Sequence, residues 1–392
     1  LSVGWPRFRE HGSEFTALLL LVCAGMGIVA GSTSFVTLFV GLELFSLCLY
    51  VLCGFDGKSR ASLEAGFKYL VLGTIGSIVL VYGAAFLYGQ TGSFTYEGVA
   101  KALAEGGTGE WLALTGTALV LVGLLFKIGA MPFHMWVPDV YHGAPTAVTL
   151  FIGTAPKLAA FAFVMRLLVS GLGASFLVDQ WQWMLIIMAV LSLAIGNVTA
   201  IAQTNLKRML AYSAISHMGF LLLGVLSGSS EGYAAAMFYV IVYVLTSLGT
   251  FGIMLLLSRE GFEAENLDDY KGLNQRSPWF AAIMLVLMFS MAGVPPVVGF
   301  YAKLSVLWAV VEAGFVWLAV VAVMFSLIGA FYYLRIVKLM YFDEPSDVFD
   351  RPLGGEMRLV LAGTGLFTML FFIWPTPLLI GADWAAKALF PG

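Results

Sequence analysis

The stretch Leu124–Trp136 reads LLFKIGAMPFHMW. Lys127 sits inside an apolar helical run, Gly129 follows it, and Pro132 breaks the run. A second stretch, Met291–Lys303, reads MAGVPPVVGFYAK and places Gly293, Pro295, Pro296 and Gly299 ahead of another lysine, Lys303. Proline removes an amide donor and clashes with the preceding turn, so each stretch reads as a helix interrupted along its length. Interrupted helices at membrane depth are tolerated only where protein or water covers the freed backbone groups. The two stretches therefore announce a polytopic helical protein with something polar at its centre.

Composition agrees. The chain is 60% hydrophobic and 11% charged, with a mean hydropathy of +0.93, whereas a soluble domain carries roughly 25% charged residues. Apolar runs long enough to cross a bilayer recur along the whole length, and in lipid such runs must be helices. Eleven spans are expected, at 15–30, 33–54, 61–88, 112–140, 145–170, 181–203, 208–228, 232–258, 278–310, 315–342 and 357–380.

The broken spans are each the fourth member of a set of five. Five is odd, so the second set enters the membrane from the opposite face and the repeat must be inverted, an architecture typical of transporters. The expected fold is an all-α polytopic membrane protein with two inverted five-helix repeats and one C-terminal helix. Its parts are a cytoplasmic N-terminal segment (1–14), a first repeat (15–170), a second repeat (181–342), and a cytoplasmic loop with the last transmembrane helix (343–392).

Orientation follows from Lys and Arg. Arg7, Arg9, Lys58, Arg60, Lys207, Arg208, Arg259, Lys271, Arg276, Arg335, Lys338, Arg351 and Arg358 fall on one side, against Lys101, Arg166 and Lys387 on the other. The positive-inside rule makes the first side cytoplasmic and puts the C-terminus outside.

Several function classes drop out. No basic patch with interleaved aromatics points to nucleic acid. Cys23, Cys48 and Cys53 form no CxxC, and His11, His134, His142 and His217 form no HExxH, so no metal site or redox centre is expected on this chain. The opening WPRFREHGSE lacks the apolar core and cleavage site of a signal peptide.

Five charges remain inside the spans: Glu43, Lys68, Lys127, Lys157 and Lys303. At roughly 2.5–3.5 kcal/mol each, five unpaired charges would cost on the order of 15 kcal/mol, as much as a typical net stability. Glu43 lies about 16 Å and Lys68 about 10 Å from the ends of their helices, so a direct or water-bridged pair between them is expected. A buried lysine can simply lock helices through a carboxylate. Four lysines facing one clear carboxylate fit proton handling better, because lysine in a low dielectric can release its proton and arginine cannot. Lys127 beside the Gly129–Pro132 break, and Lys303 beside its own break, read as proton-handling units.

Weaker polar signals are read locally. His217, in AYSAISHMGF, fits either a relay between the broken helices or a hydrogen-bonded structural histidine. His134 and Asp139 read as capping or gating groups, and Glu64, Lys207 and Arg208 as solvated residues at the membrane edge. The mixed-charge loop SREGFEAENLDDYKGLNQRSPW reads as a partner contact.

Seven motifs, GLELFSL, EAGFKYLVLG, FKIGAMPFHMWVPDVYHGAPT, APKLAAF, LKRMLAYSAISHMGF, DDYKGLNQRSPW and MAGVPPVVGFYAK, together resemble the antiporter-like membrane subunits of respiratory complex I, NADH:quinone oxidoreductase. The resemblance covers essentially the whole chain. The chain is most similar to the N-type: it has no long lateral C-terminal helix, and Lys303 stands where the M-type carries glutamate. The resemblance implies a proton-translocating subunit that binds no cofactor itself, with NADH, FMN, iron–sulfur clusters and quinone on other subunits. By motif match, Glu43 and Lys68 are the charge pair modulating Lys127, Lys157 is the central connecting residue, and Lys303 faces the exit half-channel. Neighbouring antiporter-like and other membrane subunits are the implied partners, in a bacterial inner or, alternatively, mitochondrial inner membrane. Bacterial members usually have fourteen spans, so the first three lack a counterpart here. A multisubunit cation/proton antiporter, or a complex fed by ferredoxin, deazaflavin or hydrogenase modules, would use the same lysines.

Overall fold

The computed structural model describes residues 11–105, 110–173, 175–258, 262–345 and 355–388. Of the residues used for orientation, Arg7, Arg9, Arg259 and Arg351 lie outside this set. The helices are α1 (Gly12–Gly31), α2 (Phe35–Cys53), α3 (Arg60–Thr91), α4 (Tyr96–Ala104), α5 (Glu110–Ile128), α6 (Trp136–Gly143), α7 (Thr146–Ile152), α8 (Ala155–Ser170) and α9 (Ser175–Ile201). They continue with α10 (Leu206–Leu226), α11 (Ser230–Leu257), α12 (Leu273–Arg276), α13 (Pro278–Ala292), α14 (Val298–Glu312), α15 (Val316–Phe342), α16 (Gly355–Ile373) and α17 (Thr376–Lys387). A 3-10 turn at Leu267–Tyr270 precedes α12.

Nine stretches among the described residues are helical, long and apolar enough to cross a bilayer, and α16 with α17 makes a tenth. Short polar residues set where helices begin. Ser34, Ser59, Thr95, Asn205 and Ser229 each accept a hydrogen bond from a first-turn amide of the helix that follows, satisfying a donor with no intrahelical partner. Three of these caps are also tied across the fold. Ser34 bridges Thr95, and Asn205 bridges Asn266, each as an isolated antiparallel backbone contact.

Both expected breaks are present. α5 ends at Ile128 and α13 ends at Ala292, and the next residues, Gly129 and Gly293, take left-handed φ values of 75° and 79°. Such values are cheap for glycine alone. Two further interruptions escaped the sequence reading. The span expected at 145–170 divides at Gly153–Thr154 into α7 and α8, where Pro156 occupies the first turn of α8. The last span, expected at 357–380, bends by 85° between Ile373 and Thr376. Pro375 there lacks the amide that would continue the helix.

α10 occupies the centre: 94% of its most apolar 18-residue window is buried, against 22% for α1 and 33% for α15. The helix that carries His217 is surrounded by protein, while α1 and α15 turn apolar faces outward.

Candidate functional site

The broken end of α5 is closed by two backbone amides and two side chains. Ala130 N–H donates to Leu125 O at 2.9 Å, Gly129 N–H to Phe126 O at 3.0 Å, and Trp136 Nε1–H to the same Phe126 carbonyl at 2.9 Å. The last carbonyl of α5, Ile128 O, accepts from the ammonium of Lys157, which comes from the first turn of α8. That ammonium also lies 5.5 Å from the Trp136 ring centroid, within cation–π range, and Tyr69 stacks on Trp136 at 4.5 Å.

The second break is built alike. Lys303 Nζ donates to Ala292 O, the last carbonyl of α13, and to Ser326 Oγ on α15, both at 2.9 Å. It sits 5.1 Å from the Phe220 ring centroid. A helix C-terminus carries partial negative charge, so a lysine ammonium is well placed there. Lys157 and Lys303 are 4% and 9% exposed, and among the described residues their ammonium contacts are carbonyls, a hydroxyl and rings rather than a carboxylate.

The cation that donates to the terminal carbonyl of the first break is therefore Lys157, while Lys127 stands beside the break, one residue before the end of α5. Lys127, in the last turn of α5, points to α2 and donates to Ser46 Oγ at 3.0 Å. Glu43 lies one turn before Ser46 on α2, the helix that Lys127 reaches. Its Oε1 is buried with no hydrogen-bond partner.

Lys68 has partners other than the expected Glu43. It forms ion pairs of 2.8 Å with Glu64, one turn back on α3, and with Asp139 Oδ2 on α6. Its side chain is 40% exposed, so it lies at the edge of the helix bundle rather than in its core. Asp139 Oδ1 accepts from Arg208 Nη1 at 2.8 Å, so one carboxylate serves two cations. Lys207, read as a solvated edge residue, is in fact 1% exposed. It donates to Ala144 O at 2.9 Å and pairs with Glu263 at 3.0 Å and Glu265 at 3.6 Å.

His217 bridges two tyrosines: Nδ1 meets Tyr239 Oη at 2.6 Å and Nε2 meets Tyr333 Oη at 3.0 Å. Tyr333 also shares a hydrogen bond with Ser213. Beside it, Asn197 donates to Ser216 Oγ at 2.8 Å and accepts from Tyr332 Oη at 3.0 Å. His217 and Lys303 line one cavity of about 10 Å³ with Tyr239, Thr246, Ser290 and Gly299, about the room a single water needs. Gly299 keeps that wall close, since a Cβ there would meet Ser290 O. Sequence reasoning missed the tyrosines, Asn197 and Ser192, whose Oγ accepts from Met131 N–H at 2.9 Å inside the first break. Their only signal was polarity inside apolar runs. No cluster of metal-ligating side chains occurs among the described residues.

Comparison with known proteins agrees with this architecture. The model of the family described as NADH:quinone oxidoreductase/Mrp antiporter, TM, matches residues 32–329. NADH-quinone oxidoreductase subunit N of Thiobacillus denitrificans is 58% identical over 369 residues, covering 94% of this chain and 76% of that protein. The subunit N of Thioalkalivibrio sulfidiphilus is 58% identical over 366 residues, covering 93% and 76%. Among solved structures, a chain of respiratory complex I from Thermus thermophilus superposes with a TM-score of 0.81 at 33% identity, covering 94% of this chain and 79% of that one. A chain of the archaeal membrane-bound sulfane sulfur reductase gives 0.86 at 26% identity, covering 95% and 75%. With a family match over most of its length and subunit N relatives at 58% identity, the chain belongs to the NADH:quinone oxidoreductase/Mrp antiporter membrane family, in its subunit N branch.

Proposed function

We propose that this chain is a proton-translocating membrane subunit of an NADH:quinone oxidoreductase, moving protons through buried lysines while quinone is reduced elsewhere in the complex. The carrying observation is the pair of ammonium groups, Lys157 on Ile128 O and Lys303 on Ala292 O, each on the terminal carbonyl of a broken helix. An ammonium that loses a proton becomes an amine that still has N–H donors. Either lysine can therefore release and regain a proton at Nζ without surrendering its carbonyl. A carboxylate partner would pin the charge, and neither lysine has one among its contacts given above.

Lys127 is the third carrier, with Glu43 as the charge that tunes it. Lys68 forms a separate ion-pair set with Glu64 and Asp139, and His217 meets Lys303 at their shared cavity. The groups Gly129, Pro132, Gly293, Pro295, Pro296 and Gly299 shape the breaks that expose the accepting carbonyls.

Residues 15–170 and 181–342 form two inverted repeats in this reading. The support is twofold: each fourth span breaks at a left-handed glycine, and each second helix is bridged at its cap to the loop after the third. NADH, FMN, iron–sulfur clusters and quinone reside on other subunits, and the partners are neighbouring membrane subunits, antiporter-like ones included. The membrane is the bacterial inner membrane, with the C-terminus outside.

The test is Lys303→Ala in the assembled complex, reconstituted in sealed vesicles, with quinone turnover and proton uptake recorded together. Loss of proton uptake in an intact complex supports the reading. Normal uptake and turnover would return Lys303 to a structural role. The fold shared with an Mrp complex favours one alternative, cation/proton antiport, which requires sodium-dependent transport with no redox partner.

A further inference from the structure

α10 begins against the usual rule for helix ends. Its second and third residues are Lys207 and Arg208, although the positive end of a helix dipole disfavours cations. Lys207 is also almost fully buried, which adds a desolvation cost. Two cations placed at such a cost must be held by specific partners, and both reach the same neighbour, the segment α6–α7 that follows the first break. Lys207 grips the junction itself through Ala144 O and fastens it to Glu263, which also accepts from Thr146 Oγ1 at 2.6 Å. Arg208 grips α6 through Asp139 Oδ1, and the other oxygen of that carboxylate holds Lys68.

We propose that Lys207 and Arg208 form a two-pronged clamp on α6–α7, and that Arg208, acting through the carboxylate it shares with Lys68, is a positioning residue for proton translocation. This rests on the functional reading above. The clamp joins the loop at 262–266, which packs on the start of α10 through Leu206 N–H to Glu265 O and Leu267 N–H to Thr204 O, to Lys68 on the far side of Asp139. One carboxylate divided between two cations holds each less firmly than it would hold one. Removing Arg208 leaves Asp139 wholly to Lys68, and removing the carboxylate leaves Lys68 with Glu64 alone. The charged and titratable groups facing this site are Glu64 and Lys68 from α3, Asp139 and His142 from α6, Lys207 and Arg208 from α10, and Glu263 and Glu265 from the loop.

The experiment uses the assembled complex with Arg208→Gln, Arg208→Lys, Asp139→Asn and Lys207→Met, and Lys303→Ala as reference. Backbone hydrogen exchange over 136–152 reads the clamp without reference to pumping. Arg208→Gln and Lys207→Met should each speed exchange there by about tenfold while 278–292 stays unchanged. In sealed vesicles, Arg208→Gln and Asp139→Asn should move the pH midpoint of proton uptake in opposite directions, and Arg208→Lys should restore it. Unchanged exchange in both clamp variants overturns the clamp. A pH midpoint that stays put in Arg208→Gln and Asp139→Asn, while Lys303→Ala abolishes uptake, overturns the positioning role. If Lys303→Ala leaves uptake intact, the functional reading fails instead, and exchange alone still decides whether the clamp exists.

Discussion

Lys68 gives its ammonium to Asp139 at 2.8 Å, while Glu43, the carboxylate expected to hold it, keeps one oxygen buried and without a hydrogen bond. Glu43 stands one turn from Ser46, the hydroxyl on the same helix that accepts from the Lys127 ammonium. The two charges thus divide into separate units, Lys68 with α6 and α10, and Glu43 with Lys127.

Glu43→Gln should therefore weaken proton uptake through Lys127 and leave the Lys68 site unaffected. At an effective dielectric near 20, charges several ångströms apart interact by a few kcal/mol at most, so a loss of roughly tenfold is expected. The check is proton uptake in vesicles for Glu43→Gln, Lys127→Ala and the double variant. Fully additive losses would separate Glu43 from Lys127.

Lys157→Arg and Lys303→Arg separate charge from proton release. Arginine keeps a cation near the helix-end carbonyl but does not give up its proton. Both variants should assemble and both should fail to take up protons, with turnover falling alongside if the two processes are tightly coupled. Proton uptake near the wild-type rate in either variant would show that the lysine acts by charge alone.

Gly293→Ala and Gly314→Ala isolate the price of the break. Both glycines are left-handed, with φ of 79° and 87°, so each alanine costs about 1–2 kcal/mol of backbone strain. At Gly314 the new methyl meets nothing within 4 Å, whereas at Gly293 it would lie 2.7 Å from Lys303 Cδ. Thermal unfolding of the extracted complex should show the larger loss for Gly293→Ala, and only that variant should impair proton uptake. Equal effects would remove Lys303 from contact with the break.

His217→Phe and Tyr333→Phe test the buried imidazole. His217→Phe leaves the Tyr239 hydroxyl without its histidine, and each unsatisfied buried group costs about 1–3 kcal/mol. If His217 relays protons, uptake falls in His217→Phe and the Tyr333→Phe loss does not add to it. Stability loss with uptake intact assigns His217 to structure.

The broken helices and the buried lysines were legible because Gly129, Pro132, Gly293 and Pro295 interrupt apolar periodicity, and lysine in lipid stands out. What each lysine touches was not. Lys157 reaches Ile128 O across 29 residues of chain, and the identity of that acceptor depends on where α8 crosses α5. The Lys68–Asp139 pair spans 71 residues, from α3 to α6 with two helices between, and a one-dimensional depth estimate ranks Glu43 and Asp139 only by distance from helix ends. Lys207 looked solvated because it sits near a span boundary. Its burial comes from the loop at 262–266 folding over it, which no pattern at position 207 announces. The divisions at Gly153 and Pro375 were readable from APK and WPTP, but a span of continuous hydropathy hides a change of direction.

The burial of α10 has a consequence for leakage. A helix enclosed by protein on every side keeps His217 and its tyrosines out of reach of acyl chains and of the water defects that charged groups draw into a bilayer. Any proton that reaches His217 must pass along polar side chains or single waters between helices, so the conductor is sheathed before the bilayer begins. Changes in lipid thickness or headgroup should then register on the outward faces of α1 and α15 first, and leave the passive proton permeability of the subunit nearly constant.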